Sequence, residues 1–100
     1  MEDLAVEERR AVKVYRALGD PNRLRIVRML VQREELGCPE LQAALGLSPP
    51  ALSHHTRVLQ ECGLVAMRRE GVYHFFRLRR DELERFAPAL LDVSERATGS

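Results

Sequence analysis

Long apolar runs are missing from this chain of 100 residues. No stretch approaches the roughly 20 apolar residues that a membrane-spanning helix needs. The N-terminal MEDLAVEERR is acidic and amphipathic, unlike the basic and then apolar plan of a secretory signal. The expected location is therefore the cytoplasm, with no membrane partner. Cysteine is scarce too: Cys38 and Cys62 are the only two, too few for a disulfide framework and consistent with reduced thiols. No glycine-rich phosphate loop is present, and no motif places a nucleophile, a base and an orienting acid together, so the chain does not read as an enzyme. Net charge is nearly absent as well, at +1, and by itself names no partner.

What is present is the composition of an ordinary soluble globular protein, 45% apolar and 31% charged. This length makes one domain, 1–100, with a core modest enough that a second subunit is expected to complete it. The charge is unevenly spread. Arg57, Arg68, Arg69, Arg77, Arg79 and Arg80 face only Glu61 and Glu70 over one stretch, whereas Asp81, Glu82, Glu84, Asp92 and Glu95 outweigh Arg85 and Arg96 in the last twenty residues. A basic patch on a neutral chain is a footprint for a polyanion.

The order of elements follows from periodicity and punctuation. Leu4, Ala11, Val12, Tyr15 and Leu18 form a stripe at helical spacing and predict a first helix. In GDPN, Asp20 is an N-cap and Pro21 suits the first helical position, which starts a second helix with Leu24, Val27, Leu30 and Val31 inward. REELGCPEL breaks it, and a short third helix runs from Pro39 to Leu45 with Cys38 at the cap. Gly46 ends that helix, Ser48 caps a fourth that runs to Cys62, and Gly63 takes the left-handed conformation beyond it. Helix, tight turn and helix over 39–62 make a helix-turn-helix.

Leu64 to Arg69 and Val72 to Arg79 read as two strands joined at Glu70 and Gly71, with Val72, His74, Phe76 and Leu78 on the apolar face. Asp81 then opens a last helix in a capping box with Glu84, carrying Leu83, Phe86, Leu90, Leu91 and Val93; Pro88 predicts a kink or two short helices near Ala87. The fold class is mainly α with a small β-hairpin, in the order α-α-α-α-β-β-α.

The stretch LSPPALSHHTRVLQECGLV carries the functional signal. Leu52, Thr56 and Leu59 share one side of the fourth helix, and Pro50, Ser53, His54 and Arg57 share the other. Such a row is either a solvated face or a surface laid against a polyanion. Short residues near the helix start let the backbone approach a groove floor, Ser53 and His54 reach base edges, and Arg57 reaches phosphate or guanine. The position as the second helix of a helix-turn-helix, followed by an arginine-flanked hairpin, favours nucleic acid. Adjacent helical residues point about 100° apart, so His54 and His55 do not chelate one ion together. His55 reads as a partly buried spacer and His74 as an interior strand residue.

The run ALGDPNRLRIVRML followed by LQAALGLSPPALSHHTRVLQECGLVAMRREGVYHFFRL resembles the ArsR/SmtB family of bacterial winged-helix transcriptional repressors, over about Ala17 to Leu78. The resemblance implies a homodimer joined through the first and last helices (1–18 and 81–96). It implies binding to an imperfect inverted repeat of double-stranded DNA, with the fourth helix in the major groove and the wing (64–79) reaching the flanking minor groove or backbone. The implied DNA-binding residues are Ser48, Pro50, Ser53, His54, Arg57, Arg68, Arg69, Gly71 and Tyr73. A winged helix serving only as a protein-interaction module is the alternative without DNA; it would not need these residues on one surface.

The chain departs from the family pattern where the family binds metal. The segment resembling ELCVCDL is ELGCPEL, which puts Gly37 and Pro39 at the ligand positions and Cys38 between them. No histidine follows His74 to build a last-helix site. A metal centre and a cofactor are therefore not expected. Cys38 and Cys62 are instead a candidate thiol switch, Cys38 at a helix N-terminus being expected to have a lowered pKa, or else two packed small residues; a small-molecule or redox inducer fits either. Zinc, cadmium and arsenite in modest excess are expected to leave operator affinity unchanged. A loss of about ten-fold or more would reinstate a thiolate site on Cys38 or Cys62, and a loss under oxidant alone would make the pair a redox switch.

Overall fold

Asp20 sets the first boundary of the fold. Its carboxylate accepts from the Arg23 N–H at 3.1 Å, and Pro21 follows at the first helical position, so one helix ends and the next begins within a few residues. In the computed structural model, which describes the backbone of residues 2–92 and the side chains of 5–92, α1 spans Glu2–Leu18 and α2 Pro21–Gln32. Val14 and Ala17 are the residues of α1 in the core, while Val12 and Tyr15 of the expected stripe are about half exposed. The stripe read from the sequence is thus the outer side of α1, and the side chain of Leu4 lies outside the described residues. On α2, Val27, Leu30 and Val31 are buried as expected; Ile26 is fully buried and Leu24 only partly.

A two-residue strand β1 (Leu36–Gly37), not expected from the sequence, pairs antiparallel with β3, Leu36 opposite Phe76 and Gly37 opposite Phe75. Two residues are too short to show an alternation, so pairing and not pattern makes this strand. Helix α3 (Cys38–Leu45) follows at once. Gly37, not Cys38, is the cap residue, and its N–H donates to the Glu40 carboxylate at 3.1 Å. Gly46 then adopts φ 67° with its N–H on the Gln42 carbonyl, a left-handed stop that leaves room for Ser48 to cap α4 (Pro49–Glu61).

Leu52, Thr56 and Leu59 point from α4 into the core, at 2%, 3% and 0% exposure. Thr56 is tolerated there because its hydroxyl donates to the Leu52 and Ser53 carbonyls. The end of α4 is a Schellman motif: Gly63, at φ 87°, donates to the Gln60 carbonyl and Leu64 to the Leu59 carbonyl. The chain therefore leaves the helix straight into β2 (Val65–Glu70), which pairs with β3 (Tyr73–Leu78) around Gly71 and Val72. That register moves the turn one residue beyond the expected Glu70 and Gly71 and leaves Val72 88% exposed at the tip, off the apolar face where the sequence placed it. Phe76 and Leu78 are buried and His74 half-buried, as the alternation implied. The sheet order is β1-β3-β2.

Helix α5 (Arg80–Phe86) starts one residue before Asp81 and has no side-chain cap, so the expected Asp81 and Glu84 capping box is not formed. Asp81 and Glu82 instead sit in the first turn, where the helix dipole favours acids. At the same end Arg80 donates to the Val31 carbonyl at 2.7 Å and so closes the end of α2. Pro88 breaks the segment as expected: Ala87 leaves helical geometry and a 3₁₀ turn covers Pro88–Leu91. Leu83 is buried, Phe86, Leu90 and Leu91 partly so, and Val93 with the rest of 81–96 lies outside the described residues. Because Leu59 is fully buried beneath α4, Leu59→Ala should cost about 2–5 kcal/mol in urea unfolding; a loss below about 1 kcal/mol would mean the core closes over the gap.

Candidate nucleic-acid interface

Three helices meet at the base of α4. Arg23 donates from Nε to the Ala17 carbonyl at 2.7 Å and from Nη2 to the Arg16 carbonyl at 3.4 Å, which satisfies the end of α1. Its Nη1 lies 3.2 Å from His55 Nδ1. A guanidinium only donates, so Nδ1 is the acceptor and the neutral ring carries its proton on Nε2. Asp20 Oδ2 is 3.7 Å from the same nitrogen. His55, 14% exposed at its side chain, is thus more than a spacer: it fastens α4 to the junction of α1 and α2. Burial raises the Asp20 carboxyl, but the Arg23 N–H bond, the charges of His55 and Arg23 and the Asn22 N–H outweigh it and hold its pKa below the usual value.

The outward side of α4 is as the sequence placed it. Pro50, Ser53, His54 and Arg57 are all exposed, and the His54 ring leans against His55 with centroids 5.3 Å apart. Ser48, also exposed, accepts from the Ala51 N–H at 3.3 Å and so fixes the start of this face. Beside it lies a cleft of about 340 Å³ between α3, α4 and the wing, with Ser53 and Arg57 on one wall, Met67 and His74 on the other, and Cys38 at one end. Val65, Met67 and Arg69 alternate onto the wing face that turns to this cleft. Gly71 and Tyr73 are exposed at the wing tip.

The arginines divide into two kinds. Arg57 and Arg69 have no hydrogen-bond or ion-pair partner among the described residues and stand exposed. Arg68 is occupied: Nε and Nη2 donate to Glu35 at 3.0 and 2.8 Å, Nη1 to Glu70 at 2.7 Å, and the guanidinium lies 4.6 Å from the Phe75 ring centroid. Its hydrogen bonds to both acids keep it protonated, and the bond from Arg68 lowers the Glu35 pKa. Glu35, Phe75, Arg23 and Arg80 carry no weight in a reading by spacing. Only Arg23, three residues after a capping aspartate, had a local signal.

The cysteines are free and apart. Cys38 lines the cleft between α4 and the wing, and Cys62 lines a groove with Lys13, Arg16 and Val58 between α1 and α4. Burial pushes both thiols up, so the lowered pKa expected of Cys38 is not found; desolvation outweighs the helix N-terminus. Among the described residues no three His, Cys, Asp or Glu side chains lie close enough together to hold a metal ion. No helix among them is long and apolar enough to cross a membrane.

A family profile described as "Bacterial regulatory protein, arsR family" matches residues 20–66, the span from the Asp20 cap into β2. The biofilm growth-associated repressor of Agrobacterium fabrum is 38% identical, over 90% of this chain and 79% of its own length. The chain belongs to the ArsR family. Among solved structures, HlyU from Vibrio cholerae superposes with a TM-score of 0.76 at 32% identity, covering 94% of this chain and 97% of that one. A homodimeric winged helix-turn-helix DNA-binding domain from Mycobacterium bovis superposes at 0.79 and 26% identity, covering 100% and 93%. This ArsR-family chain is accordingly a DNA-binding winged helix-turn-helix transcriptional regulator and not an enzyme.

A depressed carboxyl pKa contributes stability above its ordinary value and loses it as pH falls through the folded-state value. Asp20→Asn keeps a cap but not the charge beside Arg23 and His55. It should be less stable than the parent at neutral pH, with the difference fading below about pH 3; an acid-independent difference in thermal unfolding would show that the charge contributes nothing.

Proposed function

We propose that the protein is a repressor that binds an imperfect inverted repeat as a homodimer and is released by an inducer that does not use the family's usual metal sites. The observation that carries the DNA contacts is the pair of unpartnered, exposed guanidiniums, Arg57 on α4 and Arg69 on the wing, on either side of one cleft. Ordinary surface arginines find carboxylates, as Arg10 and Arg85 do with Glu7 and Glu82. Two cations left unpaired beside a face of small and hydroxylated side chains are matched to phosphate and base edges. In this reading Pro50, Ser53, His54 and Arg57 enter the major groove, Ser48 meets the backbone at the helix start, and Arg69, Gly71 and Tyr73 reach the flanking minor groove.

Dimerisation through 1–18 and 81–96 is supported by the apolar side chains the subunit leaves outside. Val6, Val12 and Tyr15 of α1 are 47%, 47% and 56% exposed. The Tyr15 hydroxyl donates to the Phe86 carbonyl at 2.9 Å, which joins α1 and the end of α5 into one surface. The Mycobacterium bovis relative is homodimeric by its description. A two-fold pair would read a two-fold operator.

A thiol signal is the second reading, and the place of Cys38 favours it: an adduct on that sulfur would stand in the cleft beside Ser53 and Arg57. The raised thiol pKa values count against fast reaction, and no disulfide joins Cys38 to Cys62.

The double variant Arg57→Gln, Arg69→Gln should fold as the parent does and lose affinity for the selected operator by about 100-fold or more, the scale of two such contacts. The slope of log affinity against log salt should fall by about two. Unchanged affinity, or a parent whose binding is flat from low to moderate salt, would defeat the reading in favour of a protein-interaction module.

A further inference from the structure

Arg68 and Arg69 are neighbours in sequence, yet the hairpin register sends them to opposite faces of the wing. Arg69 stands opposite His74, on the face that turns to the cleft and carries Met67 and the buried Phe76; Arg68 stands opposite Phe75 on the outer face. There its fork is matched by the two Glu35 oxygens, Oε2 and Oε1, at 3.0 and 2.8 Å, its remaining nitrogen reaches Glu70 at 2.7 Å, and its plane covers Phe75. Glu35 does not belong to the wing. It lies between α2 and β1, one residue before the Leu36 pairing with Phe76.

A planar fork meeting a carboxylate bidentately fixes direction as well as distance. β1 holds β3 through only two residue pairs, whereas β2, the edge strand that carries Arg69, touches the body of the protein at its far end, through the buried Val65. Halfway along β2, the Arg68 and Glu35 pair spans β3 and ties that outer strand to the end of α2.

We infer that Arg68 is a positioning residue and not a DNA contact: with Glu35 and Phe75 it braces the wing at the angle that presents Arg69 and the wing tip to the same duplex as α4. The inference rests on the DNA-binding reading above and corrects its residue set, since the sequence alone treats Arg68 and Arg69 as equivalent cations. It assigns function to Glu35, an acid that a charge count would set against DNA binding. Removing an acid near a polyanion ordinarily raises affinity. Here the brace goes with it, and affinity falls.

The test uses the full chain and a duplex selected by the parent protein from a random pool, well below the unfolding temperature. Arg68→Gln, Arg68→Lys and Glu35→Gln should each weaken binding by roughly five-fold, the scale of an exposed ion pair, with the salt slope unchanged. The double variant Arg68→Gln, Glu35→Gln should be no worse than either single one. Lysine should fail to rescue because a point charge makes neither the fork nor the stack. A direct phosphate contact gives the opposite pattern and overturns the inference: Arg68→Lys binds near the parent level, Arg68→Gln lowers the slope by about one, and Glu35→Gln binds more tightly. Amide exchange on the protein without DNA gives an independent readout. The Phe75 to Leu78 amides should exchange faster in Arg68→Lys than in the parent, and equal rates overturn the brace. If the parent selects no duplex, the DNA reading has failed, and the exchange measurement still decides whether the brace exists.

Discussion

The guanidinium of Arg23 donates to the carbonyls that α1 leaves open at its C-terminus and to the His55 ring on α4, while its own backbone N–H is held by Asp20. Each contact alone is a modest hydrogen bond, worth about 1 kcal/mol or somewhat more where charge is involved. Their value lies in being made by one side chain. The end of α1, the start of α2 and the middle of α4 are located against one another by a single rigid planar group, so the outward row of α4 has a fixed bearing relative to α1. The core beneath, Ile26, Leu30, Leu59 and Leu83 among its fully buried members, supplies the adhesion; polar groups at the junction supply the direction.

The nearly zero net charge conceals a division of labour. Most of the arginines with located partners serve the fold: Arg80 closes α2, Arg10 and Arg85 pair with acids, and Arg68 joins the wing to the body. Arg57 and Arg69 are left over on one side of the molecule. Net charge, which averages over all of them, therefore says little about the partner, and the geometry of what is unpaired says more.

Much of this was legible in the sequence, and for physical reasons. The Asp20 and Ser48 caps, the breaks at Gly46, Gly63 and Pro88, and the inward row Leu52, Thr56 and Leu59 are local features with local causes, and they appear where expected. What spacing could not supply was any relation between distant segments. Strand β1 exists through its pairing with residues nearly 40 positions away; the side of α1 that is buried depends on what α2 and α4 offer it; Arg68 and Arg69 part company through register. The outer row of α4 was readable because one helix carries all of it. Glu35 was not, because its partner is 33 residues distant. The Cys38 thiol was misjudged for the same reason: a helix N-terminus is visible in sequence, and the desolvating walls of a cleft are not.

The turn at Gly63 has a mechanical consequence. Because the Schellman bonds run directly from α4 into the first residues of the wing, and Leu64 is bonded in turn by the Arg79 N–H, there is no slack chain between the two elements. They form one jaw of a caliper. A stimulus has little means of loosening that jaw from within; what it can alter is the gap between two such jaws, where subunits meet. Operator spacing would then act as the gauge against which any signal is measured, and a compound felt only by α4 or only by the wing would be a blocker of DNA rather than an inducer.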